Sequence, residues 1–443
     1  MSVELILSAL IFVGTYIAIL SDKIERSLAA ISGGVIMVAT GLFFGFYTEK
    51  EVITEAIDWN TIGLLLGMMM VVGVLKDSGI FETLAIWAAK LSRGRYFRMI
   101  LLFGFLAAVM STTIDNVTTI LLVAPITMSI SSVLGLDPKP ILLTQALFSN
   151  VGGVATLVGD PPNIMISSAA GFDYLDYLYN LAPTVLICML VAVILFKIVF
   201  SEKAKDENEK LNEEALRGIR SRKATDEVED WTLLKKGIFG LSFIILLFVL
   251  HSLFAITPAT VAISGATLIL MMTRPNMEEI LGRVEWSTLL FFAGLFVVVH
   301  GVVKTGLLTK VAQGVLHITS GNVLFSALAI LFLAALGSGL VDNIPFTAAM
   351  LPIVGTLSAK LTGSSNILWW ALAFGAGFGG NATYIGSSAN VMIVKISEDN
   401  QDPITMKYWL KYGTLTTLLT TAVAALVIAL QVITPVQIPL LPT

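Results

Sequence analysis

The dipeptide Asp115-Asn116 returns as Asp342-Asn343, and the interval of 227 residues (342 − 115) holds for a series of unlike residues without a gap. Trp59 matches Trp286, Gly79 matches Gly306, Pro125 matches Pro352, and Gly152-Gly153 matches Gly379-Gly380. Thr156, Gly159 and Asn163 pair with Thr383, Gly386 and Asn390 at the same spacing. Chance does not repeat so many polar and glycine positions in an otherwise aliphatic sequence. The chain is two copies of one unit.

Each unit consists of apolar runs of roughly membrane-spanning length. They lie near 3–20, 28–46, 61–76, 141–168 and 181–199, and again near 237–255, 258–273, 287–303, 366–396 and 413–432. Only 13% of residues are charged, about half the share of an ordinary globular domain, and the mean hydropathy is +0.87. That apolar surplus has to face lipid. Two longer regions, about 98–134 and 322–361, are broken midway by polar residues and read as pairs of spans or as re-entrant hairpins, the latter giving ten crossings. The predicted fold is an all-α polytopic membrane protein with about ten transmembrane helices plus two hairpins. The N-terminal repeat covers 1–200 and the C-terminal repeat 237–443. The hydrophilic stretch 201–236 between them mixes Lys203, Lys205, Arg217, Arg220, Arg222 and Lys223 with a similar number of carboxylates, as a solvated linker does.

Basic residues in short loops give the orientation. Lys23 and Arg26 precede the second run, and Lys90, Arg93, Arg95 and Arg98 follow the third, whereas loops 47–58 and 173–180 are mainly acidic. The N-terminus is then outside, the first run is a span rather than a signal peptide, and the linker is cytoplasmic. Arg274 and Arg283 fall on the cytoplasmic side as well. Each repeat has an odd number of crossings, so the second enters from the opposite side. Inverted repeats are the architecture of secondary transporters, with the site where the repeats meet. This favours a transporter in the inner (plasma) membrane over a receptor or a membrane enzyme.

Several other readings are unpromising. A net charge of −4 suggests no nucleic-acid partner, and no nucleotide-binding loop of the G-x-x-x-x-G-K-[ST] type exists. Cys188 is the sole cysteine, and His251, His300 and His317 lack metal-ligand spacing, so no metal or other cofactor is expected. Trp87, Trp369 and Trp370 read as interfacial anchors.

The polar breaks carry the chemistry. Asp115, Asn116 and Thr118 interrupt the first hairpin, and Asp342, Asn343 and Pro345 the second. A carboxylate in such apolar sequence costs roughly 2.5–3.5 kcal/mol on insertion scales and persists when it pairs, protonates or binds a cation. Two such carboxylates at equivalent positions suit a proton carrier, although an Asp-Asn turn can also merely cap a helix. A second pair of breaks is Gly159-Asp160-Pro161-Pro162-Asn163 and the glycine-rich counterpart from Gly379 through Gly380, Thr383, Gly386 and Ser387 to Asn390. Broken helices at matching positions are the best sequence pointer to a transport site. Asp160 is a third titratable candidate or a helix cap, with Ser387 at its place in the second repeat. Asn150, Asn381 and Thr383 are weaker candidates for the site, and helix packing is their alternative.

At Asp115-Asn116-Val117-Thr118-Thr119, Gly159–Asn163, Asp342–Thr347 and Gly386–Asn390 the sequence resembles the ion transporter superfamily, in particular the arsenite/antimonite efflux permeases (ArsB/NhaD type) and the P-protein-like permeases. The likeness covers the chain apart from the linker. It implies hairpins tipped at Asp115-Asn116 and Asp342-Asn343, a homodimer, and a transport domain moving as an elevator against a scaffold. It also allows a cytoplasmic ATPase subunit as partner. The expected activity is export of trivalent arsenite or antimonite in exchange for protons, with Na⁺/H⁺ antiport as the alternative. Dicarboxylate relatives of similar fold show Ser-Asn-Thr tips instead. Two or three carboxylates with no Lys or Arg in either motif argue against an anionic solute, leaving an anion/dicarboxylate symporter as the least favoured reading.

Overall fold

The computed structural model describes residues 2–434 apart from 22, 211, 222 and 362–365. Every regular element among them is a helix. Nine described helices are long and apolar enough to cross a membrane. Two of these, Asn116–Leu134 and Val323–Leu340, are hairpin arms. The two broken helices are too short in each piece to count, and Pro258–Thr273 has only 16 residues.

Each polar-broken region folds as two helices joined at its polar residues. Tyr96–Met110 and Asn116–Leu134 are joined by a turn at 111–115, and their far ends are drawn together by the Tyr96 hydroxyl donating to the Asp137 carbonyl. Val323–Leu340 and Asn343–Lys360 are the equivalents in the second repeat. Each first arm packs along a half of its own broken helix: Tyr96–Met110 on Lys139–Gly153, and Val323–Leu340 on Asn366–Gly379. Glycine permits the close approach. A Cβ on Gly152 would lie 2.6 Å from the Ala108 carbonyl oxygen, and one on Gly379 would lie 2.4 Å from that of Ala335.

The broken helices are Lys139–Gly153 with Pro161–Ala170, and Asn366–Gly379 with Ser388–Asp399. Pro161 and Pro162 occupy the first turn of their helix, where a missing N–H costs nothing. Lys139, which begins the first broken helix, pairs at 2.5 Å with Asp402, just past the end of the second. The two therefore run antiparallel, as inversion of the repeats requires. Each hairpin's second arm also reaches the other repeat: Asn343–Lys360 packs on Pro161–Ala170, and Asn116–Leu134 on Ser388–Asp399.

A second group of helices packs across the repeats. Trp59–Lys76 lies against Pro258–Thr273, and Trp286–Lys304 against Arg26–Phe44. Gly67 faces Ala262, and Gly294 faces Ala30, at distances only small residues allow. Helix Ala182–Lys210 runs on into the expected linker, and the next long helix already begins at Trp231. Trp369 and Trp370 are not anchors: both are buried, and Trp370 stacks on Phe172 with ring centroids 4.2 Å apart. Trp87 is exposed.

Candidate transport site

The repeat reappears as paired hydrogen bonds. Thr156 Oγ1 donates to the Thr112 carbonyl at 2.7 Å, and Thr383 Oγ1 donates to the Gly339 carbonyl at 2.7 Å. Both bonds tie a hairpin tip to the break beside it. Asn163 Nδ2 donates to the carbonyls of Gly153, Val154 and Thr156 at 3.2, 3.2 and 2.8 Å. Asn390 Nδ2 does the same to Gly380 and Thr383 at 2.8 and 3.2 Å. These amides satisfy carbonyls that the interrupted helices leave open. The second tip is docked further by the Asn343 backbone N–H donating to the Gly386 carbonyl at 3.0 Å.

The tip carboxylates cap helices. Asp115 accepts from the Thr118 N–H at 2.9 Å and from Thr118 Oγ1 at 2.6 Å. Asp342 accepts from the Ile344 N–H at 3.0 Å and from Ser388 Oγ at 2.9 Å. It also pairs with Arg26 Nη1 at 3.0 Å. The reading that no basic residue offsets the carboxylates therefore fails at Asp342. Its partner comes from the start of the second helix, far away in sequence and outside every motif. The Pro345 carbonyl, one turn on, accepts from the Tyr16 hydroxyl at 2.6 Å.

Asp160 sits at an N-cap position but makes no capping bond. Its side chain instead meets both hairpin tips. Asn343 Nδ2 lies 3.2 and 3.1 Å from its two oxygens, and Asn116 Nδ2 lies 3.3 Å from Oδ1. Asn116 Nδ2 also donates to Asn150 Oδ1 at 2.9 Å, which accepts from Ser387 Oγ at 3.1 Å. Asn150 Nδ2 then reaches Asn381 Oδ1 at 2.8 Å and Asn390 Oδ1 at 2.9 Å. All seven side chains belong to buried residues. They form one polar network joining both hairpins and both broken helices, in which Asp160 is the only ionisable group.

A cavity of about 140 Å³ adjoins this network and is lined by Arg26, Asp115, Pro161, Glu285, Asp342 and Ser388, among others. Glu25, at its rim, is held down to about 2 by hydrogen bonds from Ser27 and Ser287. Sequence reasoning missed Arg26 and Glu285 and underrated Asn150 and Asn381. A signal for Glu285 was available, since it precedes Trp286 as Asp58 precedes Trp59. No signal marked Arg26, because a basic residue opening a span reads as an orientation charge.

A family model described as Citrate transporter (CitMHS) matches residues 16–375. The chain is 36% identical over 431 residues to an uncharacterized transporter of Mycobacterium bovis, covering 96% of this chain and 98% of that one. A 46 kDa membrane protein of Mycobacterium leprae is 37% identical, with the same coverage. The human P protein is 31% identical over 476 residues, covering 90% of this chain and 56% of its own length. Among solved structures, the YdaH transporter of Alcanivorax borkumensis, described as having an unusual topology, is similar with a TM-score of 0.56. It is 13% identical, covers 95% of this chain and 98% of that one, and supports the fold alone. The match across most of its length makes this chain a membrane transporter of the citrate transporter family.

Proposed function

We propose that the protein is a proton-coupled secondary transporter, in which Asp160 is the coupling carboxylate and the cavity at the hairpin tips receives the solute. One observation carries this reading: a single ionisable side chain is gripped by asparagines from both hairpins. A carboxylate placed there connects any change in its charge to both tips at once. Neutralising it replaces an acceptor-only group by one that also donates, so the two amides lose part of their hold.

For the solute, the motif resemblance favours trivalent arsenic or antimony hydroxide leaving in exchange for protons. A neutral hydroxide needs donors and acceptors rather than a counter-charge, and Ser27, Ser287, Thr288 and Ser388 line the cavity, with Asn116 and Asn343 next in sequence to its lining residues Asp115 and Asp342. Na⁺/H⁺ exchange uses the same carboxylates as cation ligands. A small carboxylate anion is a further reading with an observation of its own, because Arg26 faces the cavity beside Asp342. The name of the matching family points the same way.

Protein in liposomes with an acidic interior and an internal pH dye separates these readings. Arsenite, antimonite, Na⁺ and citrate are added to separate samples. Alkalinisation with uptake of arsenite or antimonite alone supports metalloid–proton exchange running in reverse. A response to Na⁺ alone moves the protein to cation antiport, and citrate-dependent proton movement moves it to anion transport. Solute uptake without any pH response rejects proton coupling.

A further inference from the structure

Glu285 stands just before helix Trp286–Lys304, where its counterpart Asp58 precedes Trp59–Lys76. Asp58 is used locally: it accepts from the Asn60 and Thr61 N–H groups at 3.0 and 3.3 Å and from Thr61 Oγ1 at 2.5 Å. Glu285 keeps the equivalent hydroxyl contact, with Thr288 at 3.1 Å, but makes no capping bond. One methylene longer, its carboxylate contacts the first-turn hydroxyl and leaves the helix-end N–H groups uncapped.

It is turned towards two cavities. Glu285 lines the solute cavity with Asp115, Asp342 and Arg26. It also lines a second cavity of about 170 Å³, whose wall carries Lys76, Thr118 and Arg283. Lys76 is exposed and Arg283 pairs with Asp77 at 2.7 Å, so this cavity lies at the side to which the basic loops are assigned, the side that Glu25 and Arg26 give the rim of the first cavity as well. Thr118 is the residue whose hydroxyl holds Asp115. Asp115 is thus adjacent to Glu285 through the first cavity and, by way of Thr118, through the second.

We infer that Glu285 is a proton relay between the hairpin-tip carboxylates and the cytoplasm. The inference rests on the proton coupling proposed above, with the proton that Asp160 releases passing on by way of Asp115. In the step, Asp115 gives up its proton to water in the shared cavity, a Glu285 oxygen takes it, and Glu285 then releases it through the second cavity. One O–H bond breaks and one forms at each transfer, and no other reactant is needed. The charged groups facing Glu285 are Asp115, Asp342, Arg26 and Glu25 on one side and Lys76 and Arg283 on the other. Burial, then the charge of Asp115, push the Glu285 carboxyl up to about 7, against the Thr288 hydrogen bond that lowers it. A relay works best when its affinity for the proton matches the ambient pH.

The test uses the full chain in liposomes with arsenite as the probe, and Na⁺ and citrate as separate arms. Two rates are compared for wild type, Glu285→Gln and Glu285→Asp: pH-driven flux, and exchange of labelled solute at equal pH on both sides. The relay predicts that Glu285→Gln slows pH-driven flux at least about tenfold more than it slows exchange, and that Glu285→Asp restores flux with an altered dependence on cytoplasmic pH. Wild-type pH-driven flux in Glu285→Gln overturns the relay. Parallel loss of flux and exchange also overturns it, because that marks a structural or solute-binding role. Wild-type protein that carries solute without moving protons removes the coupling itself, and the relay with it.

Discussion

Asn343 Nδ2 lies within 3.2 Å of both carboxylate oxygens of Asp160, although the two residues are 183 positions apart and belong to different repeats. The contact joins the tip of the second hairpin to the break in the first broken helix. Asn116 makes the corresponding approach from the first hairpin, to one oxygen. The repeats therefore meet on a single side chain.

Removing either asparagine leaves the buried carboxylate short of donors. Asn343→Ala and Asn116→Ala should each lower stability by about 1–3 kcal/mol, the cost of an unsatisfied buried polar group. Combining Asn343→Ala with Asp160→Asn should cost less than the sum of the two single changes, because the residues share one interaction. Thermal unfolding of the detergent-solubilised protein measures this. Strict additivity would mean that the contact contributes nothing.

The glycines between hairpin and broken helix are predicted to tolerate no side chain. Gly152→Ala and Gly379→Ala each drive a Cβ into a backbone carbonyl oxygen closer than 3 Å. Each should destabilise by about 1–3 kcal/mol. Gly314→Ala, at a position with nothing near its Cβ, is the control and should leave the melting temperature unchanged or slightly raised.

Breaking the Arg26–Asp342 pair strands a buried carboxylate, since the Asp342 side chain is only 6% exposed. Arg26→Gln should destabilise by on the order of 1–3 kcal/mol, and adding Asp342→Asn should recover part of the loss. If the solute is an anion, Arg26→Gln should also raise its apparent KM, whereas a neutral hydroxide should be unaffected. Concentration-dependent uptake in liposomes distinguishes the two.

Stability should depend on pH through Glu285. Its carboxyl rises from an ordinary 4.5 to about 7 in the folded protein, so the folded state holds the proton more tightly than the unfolded one. Its contribution is fully present below about 4.5 and is lost as pH rises towards 7. Melting temperatures measured across that window should fall less steeply with pH in Glu285→Gln than in wild type. Identical slopes would contradict the assigned environment.

The repeat and its hairpins were legible because inversion preserves residue types that the backbone requires. Gly152 and Gly379 allow close packing, Thr156 and Thr383 hold the tips, and Asn163 and Asn390 satisfy open carbonyls. The polar network was only partly legible, because much of it sits where the repeat is not kept. Asp160 corresponds to Ser387, Asn150 to Gly377, and Asn381 to Val154. Such positions have no like residue in the other repeat to mark them. Gly377 shows why the departure matters: a Cβ there would strike Val154 and approach Asp160. Arg26 was hidden for another reason, since only the folded chain brings it to Asp342.

The central claim is that Asp160 couples solute movement to protons. It is tested by pH-driven and equal-pH fluxes of arsenite, Na⁺ and citrate in liposomes carrying wild type or Asp160→Asn, with an internal pH dye reporting proton movement. The account predicts that Asp160→Asn loses the pH-dye response and pH-driven accumulation while remaining folded by thermal unfolding. A variant that moves protons with the solute at the wild-type rate would contradict it.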